Sequence, residues 1–143
     1  MKLKKNKYLE KLGVKRKNHS VNFLKGLEYE KEYIKYEKKW GINPAETFDF
    51  GCILIEWVYT HLMEYKKRAE KVVDLNYNHI KCYDGVERTI EECLDTIIPK
   101  LRRYIIVNND VGLDSSLSEI ELSQEEAKKA LHILADIFYV LWW

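Results

Sequence analysis

The chain has 143 residues, 46% of them hydrophobic and 33% charged, with a formal net charge of +1. That length suits one domain able to bury a core, and that composition excludes a disordered chain. No run of about 18 apolar residues occurs, which excludes a membrane-spanning helix, and only six glycines and two prolines are present, which argues against an all-β fold full of tight turns.

The charge is unevenly spread. Lys2, Lys4, Lys5, Lys7, Lys11, Lys15, Arg16 and Lys17 stand against Glu10 alone, and the rest of the chain is net acidic. Residues 1–19 therefore read as a basic N-terminal arm, flexible or weakly helical, ahead of a single helical domain over residues 20–143. The arm has neither the apolar stretch nor the cleavage site of a secretory signal, so the cytoplasm is the expected compartment. The cysteines, Cys52, Cys82 and Cys93, are odd in number and form no CxxC pair. They predict neither a disulfide framework nor a zinc site, and no cofactor is expected.

Residues 21–40 read as a helix. Phe23, Leu27 and Ile34 share one face, Tyr29, Tyr33, Tyr36 and Trp40 make a second stripe, and Gly41 is the stop. Asn43-Pro44-Ala45-Glu46 starts the next helix, with Thr47 as a competing cap, and that helix is expected to run to about Val72. Phe50, Ile53, Leu54, Trp57, Val58, Leu62 and Tyr65 give it a very wide apolar arc, leaving Asp49, Glu56, Thr60 and Lys67 as a polar stripe. Such a helix is expected at the centre of the bundle.

Alternation on both sides of Asp84-Gly85 predicts a small β-hairpin near residues 79–88, with a type I′ turn. Thr89-Ile90-Glu91-Glu92 is a capping box opening a helix. Its face is Ile90, Cys93, Leu94, Ile97, Ile98, Leu101 and Ile105, with Pro99 on the solvent side. A loop is expected over 107–122, then a second capping box at Ser123-Gln124-Glu125-Glu126. The last helix should bury Ala127, Ala130, Leu131, Leu134, Phe138, Leu141 and Trp142, with Tyr139 and Trp143 on its polar side. The fold class is mainly α: a bundle of about four helices with one small hairpin.

No P-loop, GxGxxG, GxSxG or HExxH motif is present. Four weaker groupings remain. His132 and Asp136 stand one turn apart on the last helix, where a hydrogen-bonded pair is favoured over metal ligands. His61 and Glu64 lie on the central helix, His61 in the middle of its apolar arc and so expected to be buried, with Glu56 and Asp49 solvated. Tyr29, Tyr33, Tyr36 and Trp40, interleaved with lysines, suit a partner-binding face or base stacking, as do Tyr139 and Trp143 for a partner at the far end. Lys4, Lys5, Lys7, Lys15, Arg16 and Lys17 of the arm are the candidates for phosphate contact.

Four stretches carry a family likeness: Glu46-Thr47-Phe48, Leu54 to Tyr65, Thr89 to Asp95, and Leu131 to Trp143. Over residues 44–143 the chain resembles a group of small bacteriophage-encoded helical proteins. These share an Asp/Glu-Thr-Trp start to a central helix, a Thr-x-Glu-Glu start to the next and a Phe-x-x-Leu-Trp close. Phe138-Tyr139-Val140-Leu141-Trp142 fits that close, whereas Phe48 replaces the Trp, Gly51 an acidic residue, and Tyr59-Thr60-His61-Leu62 a segment with Pro. The resemblance implies a phage origin and brings no catalytic residues. With no catalytic signature and with spare aromatics, the expected function is a non-enzymatic accessory protein that docks on a host protein or protein–nucleic acid complex, such as an anti-CRISPR-like inhibitor of a defence system. The alternative is a nucleic-acid binder using the basic arm and the Tyr-rich helix. A third reading, an enzyme or metal protein, would use His61, Glu56, His132 and Asp136. A homo-oligomer through the C-terminal helix is compatible with each.

Overall fold

The computed structural model describes residues 6–14, 29–42, 44–47, 50–109 and 115–142. Among them are five α-helices: α1 (Lys7–Lys11), α2 (Glu30–Trp40), α3 (Phe50–Ala69), α4 (Ile90–Asn108) and α5 (Leu117–Ile137). One antiparallel hairpin, β1 (His79–Lys81) with β2 (Glu87–Thr89), precedes α4. Short 3-10 turns lie at Pro44–Thr47 and Phe138–Val140. The fold is mainly α with a small hairpin, as its periodicities predict. No described helix is long and apolar enough to cross a membrane.

Helix α4 is the spine. Thr89 caps it: its Oγ1 accepts from Glu92 N–H (3.2 Å), and Glu92 Oε2 accepts from Thr89 N–H (2.8 Å). The seven residues of the predicted stripe, Ile90, Cys93, Leu94, Ile97, Ile98, Leu101 and Ile105, are all buried, and Pro99 is exposed within the helix. This face packs chiefly against α5 and next against α3. One stripe with a polar remainder leaves only one way to bury the helix.

Helix α5 begins one capping box earlier than Ser123 suggests. Ser116 is the N-cap, reciprocally bonded with Glu119, so residues 117–122 are helix rather than loop. Ser123 lies inside, fully buried, its hydroxyl donating to Ile120 C=O (2.8 Å) and accepting from Asn108 Nδ2 (3.1 Å). The buried stripe is Ser123, Ala127, Ala130, Ile133 and Ile137, with Leu131 and Leu134 at its margin. Phe138 and Trp142, expected in the core, are 67% and 71% exposed. The α-helix ends at Ile137, so the side chains that follow leave the helical stripe. Trp143 lies outside the described residues.

The hairpin turn is not type I′. Its register pairs His79 with Thr89 and Lys81 with Glu87. Cys82 C=O accepts from Gly85 N–H, and Gly85 alone in the loop has positive φ (78°). That is a three-residue loop with glycine in the left-handed position, so Asp84 need not adopt a strained φ. Asp84 instead grips Arg88 through both carboxylate oxygens.

Residues 7–11 of the expected arm form α1, on α3. Asn6 caps it by accepting from Tyr8 and Leu9 N–H, and Leu9 and Val14 are buried. The predicted stop at Gly41 is seen: it takes φ 73° and donates to Glu37 C=O. Of the helix predicted over 21–40, residues 21–28 lie outside the described part, with Phe23 and Leu27. Pro44–Thr47 forms a 3-10 turn rather than the first turn of the central helix, which starts at Phe50 and ends at Ala69.

Candidate interaction surface

Helix α3 is apolar around most of its circumference, so periodicity does not select which side faces in. Its buried positions are Ile55, Glu56, Val58, Tyr59, Thr60, Leu62 and Ala69. The opposite side presents Phe50 (61% exposed), Leu54 (38%), Trp57 (59%) and His61. These fall at i, i+4, i+7 and i+11 and form one outward stripe. Phe50, Leu54 and Trp57 are thus not core residues. Trp and Phe are the types that dominate binding faces, whereas the aliphatic Ile55, Val58 and Leu62 are the usual core choice. That contrast between two apolar stripes was the available signal for the surface.

His61 is exposed rather than buried. Its ring stacks on Trp57 (centroids 4.0 Å apart, 26° between planes), and Nδ1 donates to Trp57 C=O (2.7 Å). In the neutral ring this leaves Nε2 as the acceptor. The stack and the Nδ1 bond hold the His61 ring against Trp57.

Glu56 and Thr60, expected in a solvated polar stripe, are buried. Glu56 faces the end of α4, where Asn109 Nδ2 donates to it (3.5 Å), and Arg102 Nε donates to Tyr59 Oη (3.3 Å). These polar anchors seat one side of α3 on α4 and thereby turn the Trp57 side outward. Asp49 lies outside the described residues.

Beside His61 an open hollow of about 380 Å³ is lined by Asn6, Lys7, Tyr8, Thr60, His61 and Glu64. Glu64 accepts from Lys7 Nζ (2.8 Å), Tyr8 Oη (2.6 Å) and Arg68 Nε (2.8 Å). Those donors, Lys7 first, hold its carboxyl down at about 2. A carboxylate so firmly ionised is no proton donor near neutrality. The same ion pair raises Lys7, whose side chain stays exposed. Lys4, Lys5, Lys15, Arg16 and Lys17 lie outside the described residues.

His132 and Asp136 do structural work. Asp136 Oδ2 accepts from Tyr83 N–H (2.7 Å), and His132 stacks on the Tyr83 ring at 4.8 Å. Together they fasten the hairpin to α5. His61 and Glu56 point to opposite sides of α3, so the four residues of the enzyme reading do not converge. Among the described residues no group of three or more His, Cys, Asp or Glu could hold a metal ion.

On α2 the aromatic stripe stands in the open. Tyr29 is 55%, Tyr36 47% and Trp40 59% exposed, while Tyr33 is half-buried. Tyr29 stacks on Tyr33, Tyr36 tilts against Trp40, and Lys39 Nζ sits 4.7 Å over the Trp40 ring. No described residue of α2 is buried, and the helix packs chiefly on the turn Pro44–Thr47. Tyr139 is exposed at the far end, edge-on to Phe138.

Comparison of the chain with protein-family models, with curated proteins and with solved structures finds no match.

Proposed function

We propose that this is a non-enzymatic binding protein that docks on a macromolecular partner through the outward aromatic stripe of α3. The observation that carries this reading is the outward stripe Phe50, Leu54 and Trp57, on a helix whose other side supplies part of the core. Large aromatics are the anchors that protein interfaces use. An 11-residue helix such as α2 is marginal alone in water and gains from a surface to pack on. The likeness to phage-encoded helical proteins points to a host protein as the partner, and inhibition of a defence nuclease complex is the concrete form.

A protein partner is favoured over nucleic acid because the outward stripe of α3 is apolar and aromatic and carries no Lys or Arg. The test is affinity capture from host lysate with the wild-type chain, the Phe50→Ala/Trp57→Ala variant, and Lys128→Ala on the exposed face of α5. Circular dichroism confirms that each is folded. A stoichiometric host protein retained by wild type and Lys128→Ala but lost with the double variant is expected. Equal capture by all three, or capture by none, contradicts the proposal. Partner loss on nuclease treatment would transfer the role to nucleic acid.

A further inference from the structure

Two of the three cysteines face one another. Cys82 follows β1 and Cys93 sits in the first turns of α4; their Sγ atoms are 3.8 Å apart, and they are 3% and 0% exposed. The third, Cys52, lies on α3, in contact with Tyr104 Oη (3.6 Å). A disulfide needs its sulfurs at about 2.05 Å, so the pair must close by less than ~2 Å.

The two thiols sit in different surroundings. Cys82 Sγ, in the hairpin, also donates to Ile80 C=O (3.8 Å). Cys93 differs: burial, then the Cys82 contact, pushes its thiol up to about 12. Cys82 lies in the short hairpin and Cys93 within α4, so opening of the hairpin presents Cys82 first. Access comes through the hairpin. Its strands are three residues each, Lys81 and Tyr83 on either side of Cys82 are exposed, and such a hairpin opens far more readily than the helical core.

From this geometry we infer that Cys82 and Cys93 are a reversible redox pair, oxidised by low-molecular-weight disulfides to a bond that locks the hairpin onto α4. Cys82 as thiolate attacks one sulfur of glutathione disulfide, whose S–S bond breaks and releases one glutathione thiolate. Cys93, losing its proton, attacks the Cys82 sulfur of the mixed disulfide and releases the second. Two protein thiols thus give up two protons and two electrons, and one glutathione disulfide becomes two thiols. The product ties β1 to α4, beside the Tyr83–Asp136 bond that ties the same hairpin to α5.

The test uses the full chain in glutathione buffers of fixed ratio, with and without urea, quenched with acid and alkylated. The folded chain should lose two alkylatable thiols of its three, lose about 2 Da in intact mass, and yield a Cys82–Cys93 linked peptide with Cys52 still alkylated. The ratio of linked to reduced chain should be at least about tenfold higher folded than in urea, because the fold holds the sulfurs together. Cys93→Ser should stop at the mixed disulfide on Cys82. Three alkylatable thiols throughout, linkage through Cys52, or a ratio no higher in the folded chain would each overturn the inference.

Discussion

Helices α4 and α5 on one side, and α2 and α3 on the other, use their apolar residues in opposite ways. On α4 every large aliphatic of the predicted stripe is buried, and α5 meets it with the small or branched Ala127, Ala130, Ile133 and Ile137. On α3 apolar residues exceed what the core accepts, and Phe50 and Trp57 are left in water, as are Tyr36 and Trp40 of α2. A core is filled when its facing stripes are covered, and aromatics beyond that stand on the surface. The difference places the buried core in the α4–α5 pair and the exposed aromatics on α2 and α3, where the proposed binding role puts recognition.

The largest effect should come from the α4 stripe. Leu101→Ala removes a side chain with no exposure, and should cost about 2–5 kcal/mol in urea denaturation. A cost under about 1 kcal/mol would mean that the core lies elsewhere. Thr89→Ala removes the cap of α4 and the Oγ1 bond to Asn76 (3.0 Å). About 1 kcal/mol should be lost, with the loss visible as faster hydrogen exchange in the first turn.

An electrostatic tie within the stable pair comes next. Lys100 of α4 and Lys129 of α5 both bond to Glu126 and hold its carboxyl down from 4.5 to about 2. A lowered folded value means this contribution is complete above about pH 4.5 and is lost as pH falls toward 2. Glu126→Gln should therefore cost about 1 kcal/mol or less at pH 7, and flatten the acid limb of a melting-temperature profile. An unchanged limb would show that the ion pair adds nothing. The smallest stability effects belong to the aromatic side and the C-terminal turn. Trp57→Ala and Trp142→Ala should each stay within about 0.5 kcal/mol of wild type, despite removing the largest side chain. A loss of 3 kcal/mol or more, at about the value for a buried Trp, would return that residue to the core.

What was legible in the chain follows the same division. The α4 stripe and its cap could be read residue by residue, because one apolar face and one capping box admit one solution. Two start signals compete for α5, Ser116-x-x-Glu119 and Ser123-x-x-Glu126. The structure uses the first and buries Ser123 against Asn108, a tertiary contact that local pattern does not contain. The last stripe failed beyond Ile137, because periodicity carries no mark of where α-helix gives way to a 3-10 turn. The orientation of α3 was the hardest reading. With apolar residues all round, its facing was decided by Glu56 and Tyr59 meeting Asn109 and Arg102. The α2 stripe was legible because that helix stays out of the core. The Trp57 stripe was hidden because a large aromatic at helical spacing reads as interior.

Photo-crosslinking from position 57 in the host cell tests the division most directly. If the proposed binding role holds, a benzoylphenylalanine in place of Trp57 should give an adduct with a macromolecular partner, while the same group in place of Lys128, on the outer face of α5, should give none. An adduct from position 128 alone, or from neither position in a chain that remains folded, would contradict a recognition surface on α3.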